Sequence, residues 1–445
     1  MSAPDSTHTT PPVSGATVAA SPEAVTLRRL KFPQRLWVPI GLTGDASAPT
    51  VAEGRAVLRG DALVDTPVVS GFIPRAPVAG VTGRVVETVL LGGCRIRAME
   101  LRCTCDRADE EETSDVSHVS DEQPSRAGEG ELTEWTSRLA GAGIWADRVN
   151  SPDLLGQLHQ ALRRPVDTVV CSLIDADPAM RLNAVVARRF AAEVVEAVEL
   201  IGRVVGAKRQ VLAVEAEVPQ RWWGPVRRAV RDKSIRLSAV HGGYPAGDTT
   251  LLLRRVVDRK LRPGRSPVEV GTIVFDAVTA VAVGRLVRRG RPMLQTPLGV
   301  VDHRTGQTTY AIAAVGTQLG DVLRELHIDL SYTALRTGDL LRDRLTDEHA
   351  VVGGGEVVVH VTHDDAPTNP QACIRCGWCV DACPTGVHPA AVLGAAQSLD
   401  TECGRRFGMD ACIGCGLCTY VCPSQLPILH GIRLLSQIKP DVTIT

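Results

Sequence analysis

Two stretches near the end of the chain gather the residues best suited to chemistry: "CIRCGWCVDACPTG", starting at Cys373, and "CIGCGLCTYVCPSQ", starting at Cys412. Each follows the pattern C-x2-C-x2-C-x3-C-P. The first run holds Cys373, Cys376, Cys379 and Cys383 before Pro384, and the second holds Cys412, Cys415, Cys418 and Cys422 before Pro423. Three closely spaced thiolates can grip three irons of a cubane from one loop, while the fourth, set off before proline, reaches the neighbouring cluster. The spacing therefore predicts two [4Fe–4S] centres with crossed ligands. Cys373, Cys376 and Cys379 join Cys422, and Cys412, Cys415 and Cys418 join Cys383. Zinc sites usually take their ligands as two separated pairs, which this spacing does not provide. Gly377, Gly414 and Gly416 suit close backbone approach to a cluster, and Trp378 and Tyr420 are expected to shield the clusters from water. His388 reads as a loop residue. Cys94, Cys103, Cys105, Cys171 and Cys403 form no further nest and read as ordinary thiols.

The elements that must carry these nests follow from the pattern upstream. Residues 1–25, rich in Ser, Thr, Pro and Ala, have neither the basic nor the apolar region of a signal peptide and read as a disordered tail. Short β-type runs between Gly and Pro turns make residues 26–105 an all-β module. Residues 106–134 are strongly acidic and poor in apolar side chains, a solvated linker by composition. From 135 to 305, strands such as "VDTVVCSLIDAD" alternate with helices such as "NAVVARRFAAEVVEAVELIGRVV", which predicts a parallel α/β sheet with right-handed crossovers. Residues 306–365 read as a small α+β module, and 366–445 as a helical, cysteine-rich domain.

Composition narrows the function classes. A chain of 445 residues implies about three domains or more. A net charge of -1 and a pI near 6.8 give no reason to expect nucleic acid or an anionic membrane surface as partner. Arginine is plentiful and lysine sparse, which reads as codon usage rather than as a phosphate-binding signal. No stretch reaches the ~18–20 apolar residues of a membrane span. A cytoplasmic protein is expected, peripheral to a membrane at most through its partners.

The order of modules resembles the RnfC family of electron-transport complex subunits from about residue 28 onward. "PRAPVAGVTGRV" is similar to the hammerhead turn of that family's barrel-sandwich module, "TTYAIAAVGTQLGDVLRELHI" to its SLBB β-grasp module, and the two nests to its cluster motifs. Biotin or lipoyl carriage is excluded, because no lysine lies between Lys31 and Lys208 to hold the group. The resemblance implies a Rossmann-like domain binding FMN and receiving NADH through a glycine-rich loop and an acidic turn. The aligned loop is "LAGAGIWADRVN", with Gly141, Gly143 and Trp145 at cofactor-binding positions, Asn150 at the lysine position and Asp147 added. The aligned turn is "CSLIDADP", with Asp175 and Asp177 in place of glutamates. Phe275-Asp276 replaces a Gln-Asn pair. Together these changes put negative charge where an FMN phosphate would sit.

Three functions are implied. In the first, NADH delivers hydride to FMN, and electrons pass through two [4Fe–4S] clusters to a ferredoxin, a flavodoxin or another redox subunit, as in an NADH-dependent oxidoreductase. In the second, the flavin is lost and the chain is a non-enzymatic relay or scaffold. In the third, it works like the related cobalamin reductase PduS, in a bacterial microcompartment.

Overall fold

The computed structural model describes residues 26–438, apart from 44–51, 65–66, 69–70, 105–128, 178, 242, 332, 340, 343 and 364–368. The expected tail 1–25, most of the acidic segment, Cys105 and Pro178 lie outside the described residues.

Strands β1 (Leu27–Arg29), β2 (Arg35–Leu42), β3 (Ala56–Val57), β4 (Gly80–Val89) and β5 (Arg95–Cys103) open the fold. The last four form an antiparallel sheet in the order β2-β5-β4-β3. Leu36, Val38 and Ile40 alternate along β2 onto one buried face, the period of a half-buried strand. β1 departs from the expected module. It pairs in parallel with a strand nearly three hundred residues away, matching Leu27 to Tyr310, where Leu27 and Leu30 reach the main core.

Helices α1 (Glu129–Gly141) and α2 (Leu154–Ala161) lead into the α/β unit. α1 starts inside the segment expected to be a solvated linker. Leu132 and Trp135 are buried, and Glu131 pairs with Arg203 at 3.0 Å, so amphipathic burial overrides the acidic composition. There follow β6 (Thr168–Ser172), α3 (Leu182–Arg189), α4 (Ala191–Val204), β7 (Arg209–Glu215), α5 (Gly224–Ala229), β8 (Ile235–Val240), α6 (Thr249–Val257), β9 (Thr272–Asp276) and α7 (Ala277–Arg289). The sheet is parallel, in the order β8-β7-β6-β9. β6 and β9 are buried along their whole length, as strands covered on both faces must be. The strand order reverses beside β6, so the carboxyl ends of β6 and β9 flank a topological switch point, where doubly wound sheets place ligands.

A mixed sheet follows, built from β10 (Gln295–Asp302), β11 (Gln307–Ala314), β12 (Thr333–Thr337), β13 (Arg344–Thr346) and β14 (Val358–His363), with α8 (Leu319–Glu325) between β11 and β12. Its order is β1-β11-β10-β14-β12-β13. β10 lies before the expected boundary at 306 yet pairs with β11 and β14. The cysteine-rich end forms α9 (Trp378–Asp381), α10 (Pro389–Gln397), α11 (Thr401–Arg406), α12 (Leu417–Tyr420) and α13 (Ile428–Gln437) around a core of its own that includes Val392, Met409 and Leu435. Among the described residues no helix is long and apolar enough to cross a membrane.

Close helix contact fixes the α/β layer. A Cβ added at Gly284 of α7 would stand 2.1 Å from the Glu193 carbonyl oxygen of α4, whereas one added at Gly394 of α10 meets nothing within 4 Å. Gly394→Ala is therefore expected to stabilise the protein by about 0.5–1 kcal/mol. Gly284→Ala is expected to lose that propensity gain and destabilise by about 1–3 kcal/mol through overpacking. Urea midpoints moving in opposite directions check the pair.

Candidate redox site

The two nests repeat each other in backbone as well as in sequence. Arg375 and Gly414 occupy the same place in their loops, as do Gly377 and Gly416, and Gly386 and Gln425, and all six have positive φ. The glycine before each short helix puts Cys379 on α9 and Cys418 on α12 in equivalent, buried positions. Such left-handed turns aim successive N–H groups inward. Val387 N–H donates to Cys383 Sγ at 3.3 Å and Gly414 N–H to Cys412 Sγ at 3.4 Å.

The fourth cysteines cross over. Cys383 lines one cavity with Cys412, Cys415 and Cys418, closed beneath by Leu429 and Ile432. On the other side, Cys379 has Cys376 and Cys422 as its charged neighbours. Burial, and more weakly the neighbouring thiols, push Cys415 up to about 11 and Cys418 up to about 12, so a cationic core is what would hold them as thiolates. A ring of sulfurs that accepts backbone N–H groups around an apolar-floored cavity fits a [4Fe–4S] core.

The nests differ in what surrounds them. The Cys412–Cys418 loop is docked on the rest of the protein: Tyr244 Oη donates to the Cys415 carbonyl and to Asp339 Oδ1, and Arg342 Nη1 reaches the Ile413 carbonyl at 3.5 Å. Arg342 is buried and pairs with Asp339 and with Asp248, the latter at 3.0 Å. Gly416 packs so tightly on the Leu341 carbonyl that a Cβ there would approach it to 2.2 Å. The Cys373–Cys379 loop is open, with Cys373 and Cys376 exposed beside Ile374. Trp378 and Tyr420, expected as shields, are 54% and 51% exposed and stand outward. His388 is more than a loop residue, since its Nδ1 accepts from Ala391 N–H at 3.2 Å and caps α10. Of the other cysteines, Cys94 is exposed, Cys103 and Cys403 are half-buried and Cys171 is buried.

The glycine-rich loop lies two hundred residues upstream in sequence, against the switch point. Gly141 ends α1, and Gly143 turns at φ 68°. Trp145 stacks on Phe72 with ring centroids 5.2 Å apart and planes 7° apart, and its other contacts are Gly353 and Gly354. Asp147 is exposed, while its neighbour Arg148 turns inward and is buried. Arg148 forms a two-pronged pair with Asp276, Nη2 to Oδ1 at 2.8 Å and Nε to Oδ2 at 3.0 Å. It also donates to Thr279 Oγ1 and to the carbonyls of Gly354 and Gly355. Asp276 caps α7 by accepting from Thr279 N–H at 2.8 Å. Burial alone would raise the Asp276 carboxyl, but the Arg148 charge and the hydrogen bonds outweigh it and hold it below the ordinary range. The negative charge expected at this corner is thus already matched from within. The gap beside Gly143 and Trp145 is about 20 Å³, less than the ~30 Å³ a water takes in the liquid. As packed, this corner does not fit a flavin ring.

Asp175 and Asp177 occupy the turn after β6, on the far side of this pair. Asp175 accepts from Asn183 N–H and Nδ2 at 3.0 Å, and burial holds its carboxyl well above the ordinary range. Asp177 lies 3.1 Å from His360 Nε2 of β14, and His360 Nδ1 meets His303 Nε2 at 2.9 Å. The turn therefore binds the α/β sheet to the mixed sheet. Asn150, at the lysine position, donates to the Ile174 carbonyl at 3.1 Å and ties loop to turn. Arg148, Arg342, Tyr244 and His360 were not singled out from sequence. Arg148 had a signal, since a carboxylate at Asp276 in a buried strand end demands a cation.

Known proteins bear on both halves. Residues 372–426 match the 4Fe-4S dicluster domain family, and residues 156–285 match the Nuo51 FMN-binding domain family, a match that starts after the glycine-rich loop. The two matches support [4Fe–4S] clusters and FMN as cofactors of these domain types. Several relatives are described as the RnfC component of an ion-translocating oxidoreductase complex. The protein from Vibrio cholerae is 22% identical over 52% of this chain and 31% of its own length. That from Pasteurella multocida is 25% identical over 62% and 34%, and that from Rhodobacter capsulatus 23% identical over 66% and 57%. The chain thus spans between a third and just over half of the relatives it matches.

Removing one partner of the Arg148–Asp276 pair strands a buried charge. Arg148→Met is expected to cost about 3–5 kcal/mol, and Arg148→Met with Asp276→Asn markedly less. The native pair stabilises above the ordinary carboxylate pKa of about 3.9 and loses that stabilisation as pH falls through the lowered folded value. The double variant loses this part of the acid dependence, which denaturant titrations from pH 7 down to 3 would measure.

Proposed function

We propose that this RnfC-like chain is an iron–sulfur electron-transfer subunit of a redox complex, relaying electrons through two [4Fe–4S] clusters. The carrying observation is the crossing of the fourth cysteines, with Cys383 lining the cavity of Cys412, Cys415 and Cys418. In this reading Cys373, Cys376, Cys379 and Cys422 hold one cluster, and Cys412, Cys415, Cys418 and Cys383 the other. Each cluster, when bound, takes up and releases one electron at a time.

The chain's own residues give the relay a direction. Arg342 and Tyr244 hold the second nest against the α/β unit and the mixed sheet, and the buried guanidinium favours added negative charge there. The first nest, with Ile374 and Trp378 exposed, is the side offered to a partner. Electrons pass between the protein body at the second nest and a partner subunit, ferredoxin or flavodoxin at the first. The partners are the other redox subunits of an RnfC-type complex, with the chain peripheral to the cytoplasmic face of a membrane. The remaining assignments belong to the same reading: residues 26–105 as the barrel-sandwich with its hammerhead turn, 135–305 as the Rossmann-like domain, 306–365 as the SLBB module and 366–445 as the dicluster domain.

The FMN-domain match favours a second reading, in which NADH and FMN feed the relay near Gly141, Gly143, Trp145, Asp175 and Asp177. The closed Arg148–Asp276 corner favours the relay without flavin.

Anaerobic reconstitution separates the two. The relay predicts about eight irons per chain, roughly half of them lost in Cys376→Ser and in Cys415→Ser, with no flavin and no bleaching by NADH. Bound flavin and NADH bleaching would install the second reading. A protein binding zinc and no iron would overturn both.

A further inference from the structure

A cleft of about 330 Å³ opens where β1, the end of α3, the start of α4 and the end of α7 meet. Six guanidinium groups line it: Arg29, Arg59, Arg189, Arg285, Arg289 and Arg291. Facing them is one carboxylate, Glu193 in the first turn of α4. Complementing the dipole at the C-terminal end of α7 would account for Arg288 and Arg289. It does not account for Arg29, Arg59, Arg189 and Arg291, which come from other segments. Nearby arginines outside the cleft are paired with carboxylates, Arg288 with Glu196 and Arg203 with Glu131. Among the described residues, Arg189, Arg285, Arg289 and Arg291 have no such partner, and Arg189 and Arg285 instead lie against the ring of Phe190 at 5.3 and 4.8 Å. Burial, then the charge of Arg29, presses the Arg285 guanidinium down to about 10, so these cations feel one another. The 14-residue helix α4 starts here, with Phe190 at its N-cap and no side-chain cap, leaving its first N–H groups toward the cleft.

We propose that this cleft is a binding site for a small polyanion carrying two or more phosphoryl groups. Planar forked donors match phosphate oxygens, and the volume falls at the lower end of small-molecule sites. With the Phe190 ring taken by two arginines, no aromatic face is left for a base, so the phosphates are what is recognised. The cleft stands at the far end of α7 from Asp276, about 20 Å away along a 13-residue helix. It is therefore separate from the acidic turn and from the cysteine nests, and it fails or stands independently of the relay.

Calorimetric titration of the reconstituted full chain with inorganic pyrophosphate and with ADP, at fixed ionic strength, tests the site. Both ligands are expected to bind one per chain with affinities within a few-fold of each other. Arg285→Met and Arg189→Ser are each expected to weaken binding about tenfold or more, Glu193→Gln to strengthen it, and Arg288→Ser to leave it unchanged. Arg189 is exposed, so its variant remains informative if Arg285→Met folds poorly. Equal competition by sulfate and chloride would reduce the cleft to an adventitious ion only and overturn the proposal. Binding to anionic vesicles without binding to pyrophosphate would overturn it as well, as would ADP binding that pyrophosphate cannot displace.

Discussion

The buried pair of Arg148 and Asp276 ties three parts of the chain together: the glycine-rich loop, the start of α7 and the Gly354–Gly355 turn beyond β13. Neither charge could stay in this interior alone, because an unpaired buried ion costs several kcal/mol. The loop cannot swing away without stranding Asp276, and Trp145 cannot leave without emptying the space between Phe72 and Gly353. The N-terminal sheet, the α/β unit and the mixed sheet are therefore registered at one corner, the place where a parallel sheet would otherwise offer a ligand site. What this fold gains there in rigidity it gives up in open volume.

With that corner closed, the chemistry concentrates at the cysteine nests. These are near copies in sequence and backbone, yet one is fastened to the protein by Tyr244, Arg342 and the Leu341 carbonyl while the other faces solvent. Two similar clusters in dissimilar surroundings have dissimilar potentials, since charge, hydrogen bonds and exposure tune them. Inequivalence of this kind makes a pair of clusters a directed relay and not merely a store.

The nests were legible because iron ligation demands a fixed cysteine spacing, and the spacing is local. The parallel sheet was legible from its alternation of buried strands and amphipathic helices. Pairing of β1 with β11 was not, because nothing in three residues announces a partner so distant. Arg148 went unread because the expectation of negative charge rested on Asp147, which points to solvent, and on Asp276, whose partner comes from across the corner. Arginine abundance, taken as codon usage, concealed a cleft that draws on four separate segments. In each case the missing information was tertiary: which residues meet, not which residues are present.

The central claim is that neither nest completes a cluster alone, and the sharpest measurement is the spectrum of reduced Cys383→Ser by electron paramagnetic resonance. Substitution in the first nest is predicted to abolish the signal that Cys415→Ser abolishes, leaving the signal that depends on Cys376. Loss of the Cys376-dependent signal instead would mean that each nest holds its own cluster, and would contradict the account.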